Sequence, residues 1–162
     1  MREAIISNEL KVMQGSSLLS PDALVDRVIR MNSGSALIQA FNIGNVINKL
    51  HLQAAYANAI EAFQEGTNIS KKLYMEFLLF AAMTRQIGTA TKLFEIDDTK
   101  RFVIASDSSD AIYRARKFVE LSEFSNSNER ELQVAKAFGI RSDNAHLNQR
   151  ILQKMAVSRL QD

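Results

Sequence analysis

The sequence predicts a helix-rich α/β fold in which a small mixed β-sheet packs with several helices; a mixed α+β arrangement stays open. Three observations favour this class. One proline and six glycines among many alanines, leucines and isoleucines are typical of helices. Short β-rich runs alternate with stretches of helical periodicity, which indicates layers of both element types. The 162 residues suit one domain, so we expect residues 1–162 to form a single domain.

The first predicted elements are strands at residues 4–6 and 10–13, where apolar residues are grouped or alternate. A helix follows from Ser20, because serine is a good cap and Pro21 suits the first helical position. Residues 32–34 should end it. The remaining elements are strands at residues 35–43 and 101–105, and helices at residues 46–63, 70–83, 87–94, 107–119, 132–138 and 147–160.

Residues 70–96 form the central stretch of the chain. After Glu76 its first half is almost entirely apolar, which predicts a buried helix capped by Ser70. The apolar run stops at residues 84–86 and helical spacing resumes from Ile87. We therefore expect two helices separated by a polar joint.

The joint is the first candidate site. Thr84 is predicted to cap the second helix, whose exposed N–H groups suit an anion. Arg85 would lie in the first turn, where a cation is unfavourable. Its presence indicates an external anion, a contact with water, or an internal acidic partner. The candidate partners are Glu76, Asp97 and Asp98.

The last helix is the second candidate site, because it has two apolar rows about 140° apart. The rows are Leu147, Ile151 and Met155, and Leu152, Ala156 and Leu160. One core needs only a stripe somewhat wider than about 100°. Two explanations stay open: a surface that binds a partner, or a helix wedged between two parts of its own domain. Arg150, Lys154 and Arg159 flank the rows and could pair with acidic groups or phosphate.

The composition argues against an enzyme. There is no cysteine, which excludes disulfides and thiolate chemistry. His51 and His146 lack partners at metal-ligand spacing, the glycines are isolated, and no G-x-S-x-G elbow occurs. We predict no catalytic residue, no metal and no cofactor, and therefore a binding protein.

Charge and hydropathy limit the kinds of partner that the protein is expected to bind. The net charge is +2 and the isoelectric point about 9.0, so binding to a polyanion would need a local basic patch. The N-terminus lacks a signal-peptide core, and no apolar run reaches the ~18 residues of a membrane span. We expect a cytoplasmic protein that does not bind membranes.

A set of motifs in the central stretch resembles a known family. They are His51-Leu52, Ala55, Ala59 and Ala62-Phe63, then Asn68-Ile69, Glu76-Phe77-Leu78-Leu79, and Arg85-Gln86-Ile87 with Ala90. In this order they resemble the smallest regulatory subunit of the KEOPS (EKC) complex, the PRPK-binding protein (TPRKB) family, and archaeal members most. The similarity is best over residues 37–107 and returns in the final helix.

The resemblance implies a non-catalytic subunit of the machine that makes threonylcarbamoyladenosine in tRNA. Its implied partners are the small atypical kinase/ATPase of the complex and the single-stranded 3′ CCA end of tRNA. The implied RNA contacts are Arg85, Gln86 and Ile87, to which helix capping and charge add Thr84, Lys71 and Lys72. The expected kinase anchors are Leu147, Ile151, Met155 and Leu160, a surface that could also serve self-association.

A second class of function stays open. The helix start at residues 84–86 could instead serve a small-molecule phosphate-binding or catalytic domain.

Overall fold

The computed structural model describes residues 9–32 and 36–160. It confirms the predicted class, with helices and a small sheet in one chain. The strands are β1 (Lys11–Ser16), β2 (Ile38–Phe41), β3 (Phe102–Ser106) and β4 (Glu120–Glu123). The helices are α1 (Pro21–Arg30), α2 (Lys49–Glu65), α3 (Leu73–Ala82), α4 (Ile87–Leu93), α5 (Ser109–Ala115), α6 (Asn128–Ala137) and α7 (Leu147–Ser158), and a 3-10 turn covers Ile43–Asn45.

The contacts divide the chain into two compact units. The first comprises the chain up to Ile43 together with Glu95–Phe124, and contains the sheet, α1 and α5. Its strand order is β2-β3-β1-β4, and all three ladders are antiparallel. The sheet therefore takes the α+β form of the predicted class.

The core of the first unit lies where α1 and α5 contact the sheet, with Leu24, Phe102 and Ile104 fully buried. The predicted start of α1 is confirmed, since Ser20 Oγ accepts from the Ala23 N–H at 3.3 Å. Asn32, where the helix was expected to end, pairs through its side-chain amide with both the N–H and the carbonyl of Ile38. This amide extends the ladder at the free edge of β2.

The second unit comprises Gly44–Phe94 and Ser125–Asp162 and contains α2, α3, α4, α6 and α7. Every residue of α3 from Glu76 to Ala82 is buried, which confirms the predicted central helix. The expected cap is wrong: Lys72 occupies the N-cap position, while Ser70 Oγ accepts from the Lys72 N–H in the preceding turn. The helix ends at Met83, whose φ of 55° breaks it before the joint.

The polar strand β4 is not among the predicted elements, because its sequence ELSE has only one apolar residue. Only its ladder with β1 makes it a strand. The expected strand at residues 4–6 lies outside the described residues, as does the first residue of the one predicted at 35–43. None of the helices between residues 9 and 160 is long and apolar enough to cross a bilayer.

Candidate functional site

The joint between α3 and α4 differs from its prediction in one respect. The second helix begins at Ile87 with Gln86 at the N-cap position, so Thr84 does not cap it. Instead, Thr84 Oγ1 accepts from the Gln86 N–H at 3.2 Å, forming a local turn. Arg85 therefore precedes the helix rather than lying in its first turn, and its side chain is exposed.

Arg85 is held at the carboxyl end of the last helix. Its Nη1 donates to the carbonyl oxygen of Arg159, the C-cap residue of α7, at 3.0 Å. A cation is favourable at this end of a helix, where carbonyl groups lack intrahelical partners. The partner of Arg85 is thus a backbone carbonyl rather than Glu76, which was expected as one alternative.

Glu76 is instead the centre of a buried network. It is fully buried, and its Oε1 accepts from the N–H groups of Ile69 at 3.0 Å and Ser70 at 2.9 Å. Its Oε2 forms an ion pair with the Arg159 guanidinium, whose carbon lies 3.9 Å from the Phe80 ring centroid. Burial lowers the pKa of Arg159.

Sequence reasoning placed Arg159 on the rim of the last helix and left Glu76 among several acidic candidates. The structure corrects both, because the two residues neutralise each other inside the unit. A single carboxylate within an otherwise apolar helix was the signal that could have revealed the network, since a buried charge needs a partner.

A cleft of about 390 Å³ lies beside this network. Arg85 and Arg159 line it, but so do Glu61 and Glu65. The floor of the cleft is consequently not electropositive. The lining residues are Asn58, Glu61, Ala62, Glu65, Thr67, Ile69, Phe80, Arg85, Ala156 and Arg159.

The other predicted RNA-contacting residues are accessible around this region. Gln86 is exposed, as is Ile87 at 44 %. Lys71 and Lys72 are also exposed and directly follow the Ile69–Ser70 turn that binds Glu76. Lys71 and Lys72 precede α3 and Arg85, Gln86 and Ile87 follow it, so the ten-residue helix separates the two sets by about 15 Å along its axis.

One of the two apolar rows of the last helix is buried and the other is exposed. Its first row is core: Leu147, Ile151 and Met155 are 2 %, 0 % and 0 % exposed. The assignment of these three as partner anchors is wrong, because they have no surface to offer. The second row is exposed, with Leu152 at 46 % and Leu160 at 83 %, and Val157 beside it at 45 %.

A family model described as kinase binding protein CGI-121 matches residues 20–159. The chain belongs to this family. No curated protein matches the chain. The matched region of this CGI-121 family member contains the joint, the Glu76–Arg159 pair and all of α7.

His51, one of the resembling residues, has a structural place in this CGI-121 family member. It is fully buried; its Nδ1 accepts from the Ile47 N–H at 3.1 Å, so Nε2 carries the proton and donates to the Ala81 carbonyl at 2.8 Å. Burial lowers the pKa of His51 to about 4. The neutral ring joins α2 to the end of α3, as expected of a packing residue.

The second histidine is exposed and pairs with Asp143, at 2.8 Å between Nδ1 and Oδ1. Hydrogen bonds from His146 lower the pKa of Asp143. Across residues 9–32 and 36–160, no three His, Cys, Asp or Glu side chains converge as a metal site would require.

Proposed function

We propose that this protein is a non-catalytic regulatory subunit of a KEOPS complex, which forms threonylcarbamoyladenosine in tRNA. It binds the small kinase/ATPase of the complex and the 3′ CCA end of tRNA, and residues 1–162 act as one domain in the cytoplasm. The observation that carries the proposal is the kinase binding protein CGI-121 match over residues 20–159. The central motifs and the exposed row of α7 support it.

The kinase-binding surface is the exposed row of α7, centred on Leu152 and Leu160. Exposed leucines gain free energy when a partner removes them from water, about 25 cal/mol per Å² of apolar area. A few residues near the centre of a contact carry most of its binding energy, and we assign that place to these two leucines. The same row could pair two copies of the chain when the kinase is absent.

The kinase surface is tested by co-purification. Replacing Leu152 and Leu160 together with glutamate should abolish association with the kinase, because two charges would be desolvated in the contact. Leu18→Glu is the control, since Leu18 is fully exposed in the first unit. If the double variant still associates with the kinase, the kinase-binding surface lies elsewhere on the protein. Self-association is tested separately, by sedimentation of the wild type and the double variant without the kinase.

The RNA-binding surface runs over the joint rather than into the cleft. Arg85 offers a guanidinium to a phosphate, and the exposed Gln86 amide and Ile87 side chain can contact unstacked bases. The carboxylates of Glu61 and Glu65 would repel a phosphate inside the cleft. Lys71 and Lys72 add positive charge at the turn before α3.

The RNA surface is tested with a tRNA that carries CCA and with the same tRNA lacking it. The wild type should bind the intact tRNA better, and Arg85→Glu should weaken that binding about ten-fold or more at low salt. Lys92→Glu makes the same charge change on an exposed side chain of α4 outside the joint, and should have little effect. Equal binding of both RNAs by the wild type would contradict the CCA part of the proposal.

The second class of function has little support in the geometry. A phosphate-binding or catalytic domain at residues 84–86 would need free donors at the start of a helix. The helix there has only seven residues, and Thr84 already binds the Gln86 N–H.

A further inference from the structure

A cluster of four cations lies at the turn between α6 and α7, away from the joint. Lys136, Arg141, Arg150 and Lys154 line two hollows that share Gly139 and Arg141, one of about 250 Å³. No acidic side chain lines either hollow. We call these four residues the α6–α7 basic patch.

The charge of the patch is large for this protein. Its four residues carry +4, whereas the whole chain carries +2, so the remaining residues together carry −2. Among residues 9–32 and 36–160, no side chain forms an ion pair with any of the four. Asp143 interacts electrostatically with Arg150 and is hydrogen-bonded to His146.

The chain turns at Gly139 in the middle of the patch. Gly139 has a φ of 74° and no side chain, and a Cβ there would lie 3.7 Å from the Lys154 ammonium nitrogen. Lys154 is half-buried beside this glycine, while Lys136, Arg141 and Arg150 are exposed. Like charges therefore lie together, and none of them forms an ion pair within residues 9–32 and 36–160, which favours binding of an external polyanion.

We propose that the α6–α7 basic patch binds the phosphate backbone of double-stranded RNA, so that the stem of a tRNA contacts the protein at a second surface. A DNA duplex presents one negative charge about every 1.7 Å along its axis, and an RNA duplex is at least as densely charged, which suits several cations spread over a turn and a helix. Arginine also binds phosphate with two parallel hydrogen bonds. The proposal rests on the proposed function only in taking tRNA as the RNA.

An acidic protein is less suited to this surface than RNA. Protein contacts depend on large apolar anchors at their centre. The hollow beside Lys154 offers only Val157 at 45 % exposure and the buried Ile140, whereas the exposed leucines of α7 lie on another face. At 100° per residue, Lys154 points about 160° away from Leu152. The patch and Leu152 therefore lie on opposite sides of α7, with Val157 lining the hollow beside Arg150 and Lys154.

The test measures binding of a labelled tRNA acceptor-stem hairpin, with and without its CCA tail, over a series of salt concentrations. The double variant Arg141→Gln with Lys154→Gln should weaken both RNAs by about the same factor, roughly ten-fold at low salt. The slope of log affinity against log salt should become shallower by about 1.8, as expected for two lost phosphate contacts on a duplex. Arg116→Gln with Lys117→Gln is the control, since both are exposed cations of the first unit and remove the same charge.

Each outcome decides the proposal. Wild-type affinity in the patch variant would overturn it, and so would an equal loss in the control, which would show a general charge effect. Loss of kinase association with unchanged RNA binding would also overturn it and assign the patch to an acidic protein surface. The CCA tail tests the proposed function separately: if the wild type ignores the tail but the patch variant still weakens both RNAs, only the CCA part fails.

Discussion

Glu76 is a fully buried carboxylate in a helix whose buried neighbours are all apolar. Its two oxygens bind two backbone N–H groups and the Arg159 guanidinium, so one side chain holds the turn before α3 and the end of α7. Arg85 is attached to the same end of α7 through the Arg159 carbonyl. At the residue scale, the proposed RNA and kinase surfaces therefore meet at Arg159.

Replacing Glu76 with alanine should lower the free energy of unfolding by about 3 kcal/mol, because the Arg159 charge would remain buried without a partner. Urea denaturation measures the loss. Glu61→Ala, an exposed acid on α2, is the control and should change the stability by about 0.5 kcal/mol or less. Glu76→Ala combined with Arg159→Ala should cost less than the sum of the single changes. Strict additivity would show that the pair contributes no coupling.

At the scale of elements, α7 shows what an apolar sequence pattern can predict about a helix and what packing decides. The width of its apolar arc left two explanations open, and the exposure of Leu152 and Leu160 favours a surface row over a helix wedged within its own domain. The pattern could not tell which row is covered, since both have similar residues. Packing in the second unit decided it by burying Leu147, Ile151 and Met155. Ile151→Glu and Met155→Glu should therefore unfold the protein rather than remove partner binding alone.

Asn48 connects three helices. Its Oδ1 accepts from the His51 N–H at 2.9 Å as the cap of α2, and its Nδ2 donates to Glu131 of α6 at 2.8 Å and to Asn148 of α7 at 3.0 Å. Asn48→Ala should cost about 2 kcal/mol, because it removes both a cap and the cross-links. Ser20→Ala, which removes a cap alone, should cost about 1 kcal/mol. Equal losses of thermal stability would show that the cross-links add nothing.

At the scale of the whole molecule, His51 makes stability depend on pH. Its pKa of about 4 in the folded chain lies below the ordinary histidine value of 6.5, so the unfolded chain binds the extra proton first. Its stabilising effect is complete above pH 6.5 and is lost as the pH falls towards 4, about 3 kcal/mol in all. Denaturation between pH 5 and 7 should show this slope.

The control for the pH dependence is the other histidine. His51→Gln should abolish the slope between pH 5 and 7, where carboxylates titrate little, whereas His146→Gln should leave it because His146 is exposed. A wild-type stability that is flat over this range would mean that His51 is protonated without unfolding. Comparing the two variants separates the contribution of His51 to the pH dependence of stability from that of other titrating groups.

The sequence by itself determined what depends on neighbouring residues: the Ser20 cap, the buried α3, the break before α4, and the absence of cysteine chemistry. These follow from short-range sterics, capping and periodicity, which need no partner elsewhere in the chain. Only the tertiary structure decided the Glu76–Arg159 pair, the strand β4 and the covered row of α7. The pair joins residues 83 positions apart, and β4 exists only through its ladder with β1. Such contacts depend on which distant surfaces meet, and local patterns do not encode that.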